Sequence, residues 1–141
     1  MIMNPEDLQS TVQKWLDSSP FIRFMGLELI EADVGRGIIA MKMPMRAEFE
    51  RGGMPGQFHG GPIAALIDTV GDFAVALLLS GTVPTINFRV DYLRPSVGSF
   101  LLARATVRRQ GRTVSVVDVD VFDDQQRLTA VGRGCYSSQI G

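Results

Sequence analysis

The 141-residue chain is 45% hydrophobic and carries a net charge of −1. That suits one domain over residues 1–141 with a proper core, and gives no broad electrostatic pull on nucleic acid or an anionic membrane. Its one cysteine, Cys135, and one histidine, His59, exclude an internal disulfide, a thiolate zinc site and a multi-histidine metal site. The acidic N-terminal stretch lacks a charged-then-apolar signal pattern, and with a single cysteine it sets the expectation of a reducing, cytoplasmic setting.

Asn4-Pro5-Glu6-Asp7 has the make-up of a helix start: a capping side chain, a proline where no N–H is needed, and acids in the first turn. Leu8, Val12, Trp15 and Leu16 recur at helical spacing, which predicts an amphipathic helix over 5–17 within an N-terminal helical segment, 1–20. Ser18-Ser19-Pro20 ends it, and 21–26 reads as a short apolar lead-in. Residues 27–33 and 37–43 read as two strands of a hairpin joined through Gly35-Arg36-Gly37 and stopped by Pro44. Residues 44–58, with two prolines and three glycines, predict a loop that leads into His59.

Residues 58–79, FHGGPIAALIDTVGDFAVALLL, are the centre of the sequence. After Phe58, His59, Gly60 and Gly61 comes a segment apolar in almost every direction, as in a buried helix. It approaches a membrane span in length, but Asp68 and Asp72 near its centre argue against one. Ser80-Gly81-Thr82 breaks it. In 84–93, Ile86, Phe88, Val90 and Tyr92 alternate with Thr85, Asn87, Arg89 and Asp91, which predicts a half-buried strand with one polar face. Residues 99–109 and 112–122 read as long strands meeting at Gln110-Gly111, with Val117, Val119 and Val121 on one face and Asp118 and Asp120 on the other. Residues 127–137 form the last strand. The fold class is α+β: an antiparallel sheet of about six strands curled round one long helix.

Several residues carry chemistry. A helix start with Gly60 and Gly61 leaves unpaired N–H groups sterically open, which suits an anion or a developing oxyanion; the plainer reading is a tight loop-to-helix turn. His59 reads as an orienting group rather than a general base, since no acid adjoins it. Asp68 lies in the most apolar part of the helix, where burial raises its basicity; it suits attack on a carbonyl or activation of a water, against a purely structural acid. Asp72, one turn on, is the alternative acid. Gly60 and Asp68 are eight residues apart, about 12 Å along a helix. Both cannot reach one reacting atom from the same chain, so joint action requires a two-fold dimer with two composite sites. Arg108, Arg109 and Arg112 around the 110–111 turn suit a phosphate-bearing ligand or a solvated turn, and Arg89 and Arg94 lie on the neighbouring strand.

His59-Gly60-Gly61, Leu66, Asp68, the run Thr85 to Pro95, Gly98 and Gln110-Gly111-Arg112-Thr113 resemble hotdog-fold acyl-CoA thioesterases of the PaaI (phenylacetate-pathway) type, over about residues 25–138. The resemblance implies a hotdog fold, homodimers and often homotetramers, and thioester hydrolysis to an acid and free coenzyme A. It implies no metal, and no cofactor beyond the coenzyme A of the substrate. By position, Asp68 matches the catalytic carboxylate, as nucleophile or as base for a water. Gly60 matches the N–H that polarises the carbonyl from the opposite subunit, and Thr85 a hydroxyl that supports the acid or its water. Segments 92–97, with Tyr92 and Arg94, and 109–114, with Arg109, Gly111, Arg112 and Thr113, match coenzyme A contacts. Many relatives carry Asn six residues before the histidine; here Gly53 stands there, and Gln57 is the nearest side-chain amide. The acyl pocket is expected to be apolar and lined partly by the central helix and the 44–58 loop, with Phe49, Met54 and Phe58 as candidates. The alternatives are an acyl-CoA binder without hydrolysis, as sensor or carrier, and an enoyl-CoA hydratase or dehydratase, which the single histidine fits poorly.

Overall fold

The computed structural model describes residues 3–141. Helix α1 spans Pro5–Asp17, with the Asn4 side chain accepting the Asp7 N–H at 2.8 Å and Val12 and Leu16 buried. The expected lead-in at 21–26 is instead a second helix, α2, Pro20–Met25. The Ser19 hydroxyl accepts the Ile22 N–H at 3.3 Å, Pro20 occupies the first turn, and Gly26 closes the helix at φ 66°. Six residues are too few to display a helical repeat, so only these caps betray the element.

Strands β1 (Glu28–Asp33) and β2 (Ile38–Pro44) form the hairpin, and a single 3₁₀ turn at Ala47–Phe49 interrupts the following loop. Helix α3 runs unbroken from Gly60 to Leu79. Strands β3 (Thr85–Tyr92), β4 (Phe100–Gln110), β5 (Val114–Asp123) and β6 (Leu128–Ser137) complete one antiparallel sheet in the order β1-β2-β4-β5-β6-β3.

The sheet meets α3 through small and branched residues. Ala103, Ala105, Val117, Val119, Val121 and Ala130 are fully buried and lie side by side across β4, β5 and β6. Gly132 continues this surface: a Cβ there would lie 2.7 Å from Ile67 Cγ2. The helix therefore settles at a distance that only a small residue permits. Asp118 faces outward, as expected, and is held by Arg133 at 2.6 Å. By length and composition α3 is apolar enough to cross a membrane, yet it is the core helix of this sheet.

Two expectations change. A helix covered on nearly all sides was expected, but the stripe Ala64, Ala65, Asp68, Thr69 and Asp72 is only partly buried, because the sheet wraps one side of α3. Strand β3 was expected to be half-buried. It is an edge strand, paired only with β6. Ile86 and Tyr92 are 53% and 52% exposed, and of the apolar set only Val90 packs on the core.

Candidate active site

The first turn of α3 is anchored by its approach. The Phe58 N–H bonds the Ser96 carbonyl at 2.9 Å and the His59 N–H bonds the Phe49 carbonyl at 2.7 Å. His59 is the N-cap residue, extended at φ −66° and ψ 155°, and its imidazole makes no capping bond. The side chain is exposed. Gly60 and Gly61 follow, and among the described residues their N–H groups have no acceptor. Such groups at a helix start are the positive end of the dipole and can receive a developing oxyanion. The Tyr92 hydroxyl donates to the Gly60 carbonyl at 2.7 Å, which fixes that peptide. A Cβ on Gly61 would touch nothing. A cavity of about 440 Å³ opens here, lined by His59, Gly60, Tyr92 and Arg94, with Phe58 and Ile63 behind them.

Two turns on, the chemistry passes to a side chain. The Thr85 hydroxyl donates to Asp68 Oδ1 at 2.8 Å. Burial pushes the Asp68 carboxyl above its ordinary value, and the Thr85 bond partly offsets this. Tyr136, fully buried, donates its hydroxyl to the Asp68 carbonyl at 3.0 Å. Gly71 makes room for that ring, since a Cβ there would lie 2.2 Å from the hydroxyl. Asp72 accepts a long bond from the Val83 N–H, 3.5 Å. Burial and, secondarily, the Asp68 charge push its carboxyl up to about 7. Asp68, Asp72 and Thr69 line a second cavity of about 430 Å³, closed on its far side by Ser19, Phe21 and Ile22 of the α1–α2 corner.

The structure thus brings some sequence candidates together and separates others. Phe58, His59, Gly60, Tyr92 and Arg94 share one cavity, with Gly61 beside them. Asp68 lines the other, and Thr85 is bonded to it. Arg109, Gly111, Arg112 and Thr113 sit at the β4–β5 turn. There Arg109 folds over Gly111, its Nη1 2.8 Å from where a Cβ would be, and lines a shallow groove with Arg36. Phe58 is 2% exposed and stacks on Phe49 at 6.4 Å, so its ring belongs to the core wall. Gly53 lies at φ 77° in a loop where a Cβ would touch nothing.

Sequence reasoning missed α2 and Tyr136. Ser19-Pro20 repeats the cap-and-proline signal of Asn4-Pro5 and would have revealed α2. Tyr136 lies 68 residues from the carbonyl it bonds, and no local pattern announces that contact.

Residues 55–130 match the Thioesterase superfamily. The chain is 33% identical to the acyl-coenzyme A thioesterase PaaI of Escherichia coli K12, covering 83% of this chain and 80% of that one. The solved structure of a thioesterase-superfamily protein superposes with a TM-score of 0.86 at 31% identity, over 93% of this chain and 98% of the other. A thioesterase of Haemophilus influenzae superposes with a TM-score of 0.80 at 27% identity, over 97% and 91%.

Proposed function

The chain belongs to the thioesterase superfamily and is a thioester hydrolase, and on that premise we propose that it cleaves an acyl-CoA at a composite site built by two subunits. The observation that carries this is the division of α3. Gly60 and Asp68 open onto different cavities of one chain. Eight residues of unbroken helix separate them, about 12 Å at 1.5 Å per residue. An oxyanion donor and a nucleophile must each lie within about 3 Å of the reacting group. A second copy supplies the missing half. The β3 edge, with Ile86, Phe88 and Tyr92 exposed, offers the unpaired strand and apolar surface on which such a copy can pair.

At the joined site the partner's first helical turn receives the thioester carbonyl oxygen on the Gly60 N–H. The Asp68 carboxylate then attacks the carbonyl carbon, expelling the coenzyme A thiolate and leaving an anhydride that water cleaves. Alternatively it takes a proton from a water that attacks in its place. Both routes require Asp68 ionised and the oxyanion held. Thr85 orients the carboxylate, and His59 flanks the oxyanion donor. Tyr92 and Arg94 border the carbonyl cavity on the coenzyme A side. Arg109, Gly111, Arg112 and Thr113, remote from both cavities within one chain, are reached by the nucleotide end of coenzyme A.

A thiol-release assay over a panel of acyl-CoAs tests the reaction: turnover by the wild type that Asp68→Ala abolishes supports it. The composite site has its own test. Gly60→Pro removes the N–H at a helix position whose backbone suits proline, its Cβ lying 3.3 Å from the Tyr92 hydroxyl. Co-refolding inactive Gly60→Pro with inactive Asp68→Ala restores about a quarter of wild-type activity if each site draws on two chains of a two-fold dimer. No recovery sinks the composite site. A binding-only reading draws on Gly53 standing where many relatives carry a water-holding Asn; tight acyl-CoA binding without thiol release selects it.

A further inference from the structure

We infer that α2 forms the wall of the acyl pocket and that Phe21 selects a compact acyl group; this rests on the hydrolytic role of Asp68 proposed above. A thioester carbon within reach of the Asp68 carboxylate must send its acyl group into the space beside that side chain. That space is the 430 Å³ cavity between α3 and the α1–α2 corner. Its apolar walls are Phe21 and Ile22 from α2, set over the buried ring of Phe73 from α3. Phe21 is 56% exposed, an apolar ring open to the cavity and free to meet a ligand.

The loop that the sequence favoured for this task cannot serve it in the same way. Phe49 and Phe58 are 4% and 2% exposed and stacked on one another, and core rings do not yield without opening a void. Position in the fold agrees. The family-matched residues, 55–130, include Gly60, Asp68 and Thr85 but exclude α2. The best-matched residues carry the reaction, and α2, outside them, borders the substrate end. The cavity also has a polar limit. Asp72 lines it four residues beyond Asp68, about 6 Å along the helix. A long alkyl tail would press methylenes onto that carboxyl and strip its water without returning a hydrogen bond. A short acyl group ends before it.

The experiment uses the full chain and two readouts. Calorimetry measures binding of non-hydrolysable ketone thioether analogues of butyryl-CoA and palmitoyl-CoA. Thiol release measures kcat/KM for the parent thioesters. The wild type favours the short group in both. Phe21→Ala shifts the long-to-short ratio toward the long group by about tenfold, the scale of a changed hydrophobic pocket contact, and Phe21→Trp shifts it the other way. Phe21→Leu, with its thermal melt, guards against loss of fold. Ratios within twofold of wild type for all three folded variants overturn the inference, as does a ratio moved by Met54→Ala instead. If the analogue ratio follows Phe21 while no thioester is cleaved, the pocket stands and the hydrolytic reading falls.

Discussion

At its first turn α3 offers backbone; at its third it offers a side chain. The N–H groups of Gly60 and Gly61 stand free because glycine leaves space around them and Tyr92 grips the Gly60 carbonyl at 2.7 Å. The Asp68 carboxylate stands ready because Thr85 orients it and partial burial raises its proton affinity. Backbone donors are fixed by the helix itself and tolerate most side-chain changes nearby. A carboxylate depends on its identity, its partner and its solvation. If both serve one reaction, as proposed, the two ends should respond very differently to substitution.

The largest contrast comes from removing each group. Asp68→Ala should abolish thioester cleavage, a loss of at least about a thousandfold in kcat, since Asp72, the other acid on that cavity, lies a turn further along α3 and holds its proton up to about pH 7. Gly60→Pro deletes one oxyanion donor and should lower kcat by about 10²–10³. Substitutions that disturb only the supports should have smaller effects. Tyr92→Phe loses the bond to the Gly60 carbonyl and should lower kcat by roughly tenfold with the fold intact, about what one neutral hydrogen bond is worth. Equal losses for Tyr92→Phe and Gly60→Pro would show that the first turn works through the tyrosine and not through its N–H.

The third turn should also be visible in pH dependence. The proposed reaction needs ionised Asp68, whose carboxyl lies above its ordinary value, so the acid limb of kcat/KM should lie above that of an ordinary aspartate. Thr85→Val removes the bond that lowers that value, so the limb should move further up in pH, while Thr85→Ser should restore it. A limb that does not respond to Thr85 would assign the titration to another group. The smallest effect is on stability. Asp72 is raised in the fold to about 7 from 3.8. Its folded form binds the proton more tightly, so its stabilising contribution is full below the unfolded value and is lost as pH rises through 7. Asp72→Asn should flatten that decline and stabilise the protein at pH 8 by on the order of 1 kcal/mol, read as a higher Tm.

Much of the scaffold was legible because its signals are local. The Asn4-Pro5 cap marked α1, and the apolar run with its histidine and glycines marked α3. Strict alternation marked β3 and β5. The failures share a cause. Helix α2 is too short for periodicity to register, although its Ser19-Pro20 cap was in plain view. The alternation in β3 revealed an apolar face but not what covers it, because an edge strand and an inner strand share one pattern. Asp68 was singled out by its apolar neighbours, and family resemblance offered Thr85 as a support for the acid or its water without saying which it bonds. Tyr136 beneath it carried no local mark at all.

By itself the sequence determined the kinds of elements, the glycine-opened helix start and the acid in an apolar helix. Each of these depends on bonds and spacings within a few residues. Only the tertiary structure decided that Thr85 and Tyr136 both reach Asp68, that α2 rather than the 44–58 loop walls its cavity, and that the apolar face of β3 lies bare at an edge. Those outcomes depend on strand order, register and how closely α3 settles on Gly132, and such distances are set by the packing of the whole sheet.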